Sequence, residues 1–569
     1  MTKTKNKLLF LQIQLDMKTV LYSIVALMAL ISLPVQAATF LDESESDFLT
    51  GVDTYQATSA VDPFSIQIGD VNADGQISIS DVTLMIDILL GQFANYDTRR
   101  WADVNQDGTL SIADVTLLID YLLGGELPQP LKQGYDYVWD DQVIPEIHLN
   151  VSVEEWNRLL AFYDANKYTR QYVMANITFI KEGDTTRVDS VGLRLKGNTS
   201  RHRPEGNQYG VPHQTNTKIW RRVNFGVNLR KYVDDDDHTI DGIRKIHLRC
   251  CSSDPSYVRE MFCYNLFTRA GIWTASRDIY CRLWIHVEGD NNEVYFGVYQ
   301  LLEPIDKRYL KDRKDKFGSS NSYLWKCRSG TSLTNPNGDI WYDDDTDDRH
   351  AYTLETQTEE FDTAKVQLVD FMNKLTNLSD EEFYIWIQQV TDVDLLLHTY
   401  AINVALGSWD DYWNHANNYY MYFSGKGLDN YKFFFIPYDY DSTLGTCTTA
   451  GAQEDSGRQN PLNWGLPRNP LIYRIIKFED FRAIYVRYLL EAVDEQYGLM
   501  DRESAQARIN GWYAHIAPFI TNDTNWEMAI EDKPAAFGTH GEYNLMNDDS
   551  NNFFNVKAES INSLSNTSK

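Results

Sequence analysis

Apolar and polar positions along this chain follow three different patterns. The first is a continuous apolar run from Val20 to Leu33, preceded by Lys18 and followed by Pro34 and the small-residue exit Val35-Gln36-Ala37. A basic start, an apolar centre and a small-residue exit predict an export signal over residues 1–37, with Met17 as an alternative start. The run is short and broken by proline, and no later stretch is long and apolar enough to span a bilayer. Residues 38–66 read as an acidic linker.

The second pattern is a repeat. "GDVNADGQISISDVTLMIDILLG" from Gly69 returns as "ADVNQDGTLSIADVTLLIDYLLG" from Ala102, 33 residues later. Each copy opens with alternating oxygen-bearing side chains and closes with a helical apolar stripe (Val82–Leu90, Val115–Leu123). In the first copy Asp70, Asn72 and Asp74 occupy loop positions 1, 3 and 5, the Gln76 carbonyl position 7 and Asp81 position 12. In the second the same places fall to Asp103, Asn105, Asp107, Thr109 and Asp114. A hard cation takes several oxygens, these positions point inward, and Gly75 or Gly108 permits the sharp turn, so each loop is a calcium site. Ser78 and Ser111 would hold a water at position 9. The duplicated loops, spanning residues 67–126, resemble the dockerin module, a small all-α domain. That resemblance implies two Ca²⁺ ions and a cohesin-type partner. Many dockerins carry Ser-Thr at positions 10 and 11, where this chain has Ile79-Ser80 and Ile112-Ala113.

A Gly-, Pro- and polar-rich segment places a linker at 127–136. Beyond it the third pattern mixes periods of two and of 3.6 and predicts an α+β domain over 137–545. "SVEEWNRLL" opens a helix with a capping box. "SVGLRLKG" and "VNFGVNLRKY" alternate as strands, and "SYVREMFCYNLFTRAG" is helical up to Gly271. "IYCRLWIHVEG" with "EVYFGVYQLLE", and "NNYYMYF" with "KFFFIPYDYD", read as strand pairs, and helices dominate from Pro470 to about Ile520. The Asn- and Ser-rich stretch 546–569 reads as a loose polar tail.

Composition narrows the function. A formal net charge of -29 excludes a nucleic-acid partner, which needs a basic face to release counterions. Hydrophobic residues at 43% and aromatics at 13% describe a well-filled core. The six cysteines (Cys250, Cys251, Cys263, Cys281, Cys327, Cys447) lack zinc spacing and read as buried small hydrophobes.

Five phrases in order, "LRLKGNTSR", "DPSYVREMFCYNLFTRAG", "FGVYQLLEPIDKRYLK", "WDDYWNHANNYYMYF" and "FFFIPYDYDSTLG", resemble the CotH kinase family across residues 145–520. The resemblance implies a much-altered kinase-like fold that moves the ATP γ-phosphoryl group to Ser or Thr of a protein, with Mg²⁺ or Mn²⁺. It implies Asp439 as metal carboxylate, with Asn418 and Asp441 as further ligands. It implies Asp410 as the catalytic carboxylate, with Asp411 as its rival because the doubled acid leaves the register open. Glu260 would pair with a phosphate-binding cation. Gly197 would let the backbone approach phosphate, with Asn198, Thr199 and Ser200 as donors, and Arg194 and Lys196 would face the phosphates. Glu303 would lie toward the nucleotide. Where the family carries a lysine before "VNFGVNL" this chain has Arg221-Arg222, so that role falls to Arg222 or Lys218. The insertion 202–217 lengthens the loop expected over the nucleotide. Two other readings fit the same acids and aromatics: a dockerin-bearing glycoside hydrolase using Asp410 and Asp439, and a non-catalytic binder or scaffold.

Overall fold

The computed structural model describes residues 66–128, 134–198, 200–252, 254–344, 346–446, 455–525, 529–534 and 543–566. The export signal, all but the last residue of the acidic linker, Thr199 and Cys447 lie outside the described residues. Two compact units emerge, a small one of Gln67–Ala94 with Thr98–Pro128 and a large one from residue 134 onward. No described helix is long and apolar enough to cross a membrane.

The small unit is built on the repeat. Helices α1 (Ile79–Leu89) and α2 (Ile112–Leu122) begin three residues earlier than their apolar stripes. The reason is capping: Ser78 and Ser111 are the N-caps, each in a reciprocal capping box with the acid at loop position 12. Asp81 and Asp114 therefore close the loop and start the helix together. Val71, Val82, Met85, Val104, Val115 and Leu118 form the core.

The large unit has two sheets. Strands β1 (Glu146–Val151), β2 (Val173–Lys181), β3 (Asp184–Leu195), β4 (Phe225–Asn228), β5 (Lys245–Arg249), β6 (Asp278–Val287) and β7 (Val294–Leu302) close a barrel in the order β1-β2-β3-β4-β5-β7-β6. Their inward positions, among them Ile147, Leu193, Leu195, Ile246 and Leu248, pack a core inside it. A two-residue turn with positive φ at Glu182 and Gly183 sets the β2–β3 register. Helix α3 (Val153–Ala165) follows β1, capped by Ser152. Helix α4 (Arg259–Arg269) is buried along most of its length and follows β5.

The second sheet runs β12-β11-β8-β10-β9, from β8 (Tyr323–Cys327), β9 (Ile340–Tyr342), β10 (Tyr352–Leu354), β11 (Tyr419–Ser424) and β12 (Lys432–Pro437). Helices Phe361–Asn377, Asp380–Val390, Val393–Ala405, Glu479–Val493 and Arg502–Ile516 share one large core with α4 and this sheet. The five described cysteines are buried and free.

Two boundaries differ from the sequence reading. A short helix, Tyr135–Val138, begins inside the expected linker, with Tyr137 buried. The expected loose tail holds helix Phe553–Asn562, capped by Asn552, with Phe553, Phe554 and Ile561 buried in the large core. Its Asn- and Ser-rich composition masks an amphipathic helix whose apolar residues occupy one face. Phe554 lies on Phe262 with ring centroids 5.3 Å apart. Replacing Phe554 by Ala is expected to cost about 3–5 kcal/mol in urea unfolding, where a loose tail would give no change.

Candidate active site

The β11–β12 pair carries the acids. The chain enters β11 through Asp410-Asp411 and the short helix Tyr412–His415, and leaves β12 into Tyr438-Asp439-Tyr440-Asp441. Asp411 is the buried N-cap of that short helix, accepting the Asn414 N–H at 2.8 Å and Asn403 Nδ2 at 2.7 Å. Tyr440 OH donates to the same Asn403 at 3.0 Å, closing a knot under the site. Asp410 is different: Asn417 Nδ2 (3.1 Å) and Asn418 Nδ2 (2.9 Å) both donate to its carboxylate. Burial raises it above the ordinary carboxylate range, and the charge of Asp439 adds to the rise. The two acids differ in position: Asp410 lies in the field of Asp439, and Asp411 holds the turn.

Asp439 and Asn418 both sit in the left-handed region, at φ 66° and 57°. Non-glycine residues enter it only where surroundings compel them. Asp439 is held by its own N–H, which donates to Tyr264 OH on α4 at 3.2 Å, and by its side chain. Arg249, the last residue of β5, donates Nη2 to Asp439 Oδ1 at 2.7 Å and Nε to Glu260 Oε2 at 2.8 Å. Burial disfavours charge on Glu260, yet Arg249 meets two carboxylates whose fields outweigh its own desolvation and hold it protonated. Arg249 is the charged group that Glu260 and Asp439 share. Asp441 is fixed through its carbonyl, which accepts Arg259 Nη1 at 2.6 Å.

The outer face of the barrel opposite these acids is basic. Arg194 and Lys196 extend along β3, and Lys245, His247 and Arg249 alternate on β5. Gly226 of β4 lies between the two rows, paired with Arg194 and His247. A Cβ at Gly226 would stand 2.7 Å from Lys196 Cδ, so the bare backbone lets Lys196 fold across to His247 Nε2 at 2.5 Å. Lys196 and His247 are both pushed well down by burial first and then by neighbouring cations, so the imidazole is the neutral acceptor. From the second sheet comes Lys326, pushed down to about 7 by burial and then Arg328. After Lys196 the chain turns at Gly197 (φ 99°), where a Cβ would meet Ser200 Oγ at 2.5 Å. Asn198 accepts Arg349 Nη1 at 3.0 Å, and Ser200 accepts Asn224 Nδ2 at 3.1 Å. Ser200, Asn224, Arg249, Glu260 and Asp441 line one crevice, so the turn adjoins the acids.

Three expected residues lie elsewhere. Arg222 is buried between the rings of Tyr257 and Tyr299 and donates to Tyr257 OH and the Val298 carbonyl. Lys218 is exposed on a separate polar cleft with Asp290, Glu293 and Asp523. Glu303 is fully committed to Arg313 (2.7 and 2.9 Å) and Tyr135 OH (2.6 Å). The insertion 202–217 folds against α3, with Trp156 Nε1 donating to Glu205 at 2.7 Å and Arg203 paired to Asp164 at 2.9 Å. Sequence reasoning missed Arg249, Lys326, His247 and Tyr264. The signal for two of them was present, since "KIHLR" alternates basic and apolar positions.

Among the described residues no three acidic, His or Cys side chains converge on one point. For Mg²⁺ or Mn²⁺ this donor set fits, because such ions take one or two carboxylates and complete their shell with phosphate and water. Asp439, Asp441 and the Asn418 amide are hard-oxygen donors whose mutual repulsion a cation would relieve. In the small unit the loop acids turn inward onto main-chain amides: Asp70 accepts from Gly75 (2.9 Å), Asn72 from Asp74 (3.0 Å), Asp74 from Gln76 (2.9 Å) and Asp81 from Val71 (2.8 Å). Asp103, Asn105, Asp107 and Asp114 repeat this, with amide partners at Gly108, Asp107, Thr109 and Asn105. Burial, then the charges of Asp114 and Asp107, holds Asp103 above the carboxylate range. This set, with the position 7 carbonyl, fits calcium.

Asp441 is pushed up to about 6, by burial first and then by Asp439. Folding therefore tightens its proton, so Asp441 favours the fold in acid and that contribution is lost as pH rises through about 6. In metal-free buffer, Asp441→Asn is expected to leave the unfolding temperature unchanged near pH 4 and to raise it at about pH 8.

With this geometry in place, comparison with known proteins is specific. The CotH kinase protein family model matches residues 193–547, and the type I dockerin domain model matches residues 68–123. Inner spore coat protein H of Bacillus subtilis (strain 168) is 27% identical over 296 residues, covering 52% of this chain and 73% of that protein. Invasin CotH3 of Rhizopus delemar is 20% identical over 401 residues, covering 69% of this chain and 58% of that protein. A family match over more than half the chain, on the segment that holds the acids and the basic face, places this chain in the CotH kinase protein family, with a type I dockerin domain on its N-terminal side.

Proposed function

We propose that the large unit is an ATP-dependent protein kinase acting on Ser or Thr of proteins outside the cell or at its surface, and that the dockerin tethers it to a cohesin-type partner. One observation carries the kinase reading: Arg249 joins Glu260 on α4 to Asp439 beyond β12 while Asp410, fixed by two asparagines, faces the same space. Phosphoryl transfer asks for this division of labour, since positioning and charge stabilisation supply most of the catalysis.

Asp439, Asp441 and Asn418 would hold Mg²⁺ or Mn²⁺, which neutralises phosphate charge when bound. Asp410 accepts the proton of the acceptor hydroxyl, whose oxygen bonds to the γ-phosphorus as the bond to the β-phosphate oxygen breaks, leaving ADP. Asn417 and Asn418 keep the Asp410 carboxylate aimed during that step. Tyr264 and Arg259 fix the backbone on which Asp439 and Asp441 ride. A glycosidase would use Asp410 and Asp439 as one acid and one ionised carboxylate, and the CotH family match favours the kinase reading over it.

Asp410→Ala is expected to lower labelled phosphate transfer to protein by about 10²–10⁴-fold while ATP binding persists. Asp439→Ala is expected to abolish metal-dependent ATP binding in calorimetry. Full transfer by the Asp410 variant would remove that residue from the mechanism. For the small unit, calcium titration is expected to show two ions for the wild type and one for Asp70→Ala or Asp103→Ala, with partner capture lost in chelator.

A further inference from the structure

We propose that Lys326 is the phosphate-binding lysine of this cleft, reaching the transferred phosphate from the five-stranded sheet instead of from the barrel. The inference rests on the nucleotide reading above and supplies the cation that the segment before β4 does not bring to the site.

The cations around the cleft divide by what already neutralises them. Arg249 has Glu260 and Asp439, Arg313 has Glu303, and Lys245 lies 3.9 Å from Asp306. Arg222 is enclosed by aromatic rings and Lys218 is on another cleft. Among the described residues Lys326 makes no ion pair and no hydrogen bond through its ammonium. Instead Nζ stands over the rings of Tyr438 (4.7 Å) and Tyr420 (5.2 Å). Ring faces attract an ammonium and leave its three donors free to point away. Tyr438 immediately precedes Asp439, so these rings seat the ammonium beside the turn that carries the metal acids.

What faces Lys326 is more positive charge. Arg194 and Lys196 lie within its field from the barrel side, with the neutral His247 beside them, and Asp439 and Glu355 from its own side. Arg194 also has its Nε buried with no partner. Unpaired cations gathered in a part-buried place are costly, and here they occur in a chain of net charge -29. Of the acids, Asp439 and Glu355 enter the field of Lys326, and Asp439 is already paired with Arg249. An anion that enters the cleft with several charges at once, a triphosphate, accounts for the arrangement. Lysine suits that task as a compact charge on a flexible stem, free to follow the phosphate as it moves from donor to acceptor. Lys326 would then grip the phosphates from one wall while Arg194 and Lys196 grip them from the other.

The test uses the full chain with Mn²⁺, comparing ATP and AMP binding for wild type, Lys326→Met and Lys326→Arg. Methionine keeps the apolar stem against the two rings. The expected result is an ATP affinity lowered about 10- to 100-fold in Lys326→Met, as for loss of one charge-assisted hydrogen bond, with AMP affinity unchanged. Lys326→Arg should recover part of the loss, and Lys326→Met should show a shallower dependence of ATP affinity on salt. ATP binding by Lys326→Met within about twofold of wild type would overturn the assignment. Equal weakening of ATP and AMP would also overturn it, because that marks a packing role. If wild type binds neither nucleotide, the kinase reading fails and the lysine assignment falls with it.

Discussion

A single guanidinium holds the cleft in its working shape. Arg249 leaves the end of a barrel strand and reaches a helix on one side and the Asp439 turn on the other. It is the nearest compensating charge for more acids than it touches. Asp441 and Asp278 also lie in its field, and both Asp278 oxygens are buried without partners. Four carboxylates lie in the field of one arginine, and removing it would leave its two direct partners, Glu260 and Asp439, without that counter-charge. The same imbalance makes the cleft receptive to a divalent ion, whose charge would share the duty. The proposed metal site and the packing of the cleft would thus share one electrostatic deficit.

How much of this could be read from the chain depends on how far apart the partners stand. The dockerin module was legible in the sequence, because the expected ligands of each loop lie within twelve positions and the repeat shows the pattern twice. The β11–β12 pair and the acids at its ends were legible for the same local reason. The difference in position between Asp410 and Asp411 was not, because it turns on Asn403 and Tyr440, which approach from a helix and a loop. Arg249 is 190 positions from Asp439, and nothing near it in sequence announces the pairing. Arg222 and Glu303 misled in the opposite direction: each is a plausible site residue by position, and each is consumed by a partner that only the fold supplies. The helix at 553–562 was hidden by composition, since its polar residues outnumber the few aromatics that decide its burial.

The distribution of charge follows a division between the two walls. Acids gather on the turns of the second sheet and bases on the outer barrel face, with Lys326 and Arg249 as the exceptions that cross. Gly226 belongs to this division. Its missing side chain allows Lys196 to lie flat and meet His247, which packs two basic groups into one strand's width. Electrostatic polarity on this scale orients a ligand that is itself polar, and under the proposed function it would turn phosphates toward the barrel and metal toward the turns.

The helix Phe553–Asn562 has a consequence for how the molecule comes into being. Its aromatic face completes a core that includes Phe262, so the two halves of one packing contact are made about 300 residues apart. At ribosomal speeds of roughly 5–20 residues per second, α4 waits about 15–60 s for the segment that covers it. Through that interval the barrel can close on its own strands, while the helical core stays open and exposes apolar surface. The helical core is therefore completed only after residues 553–562 have been made, although the barrel strands all precede it in the chain.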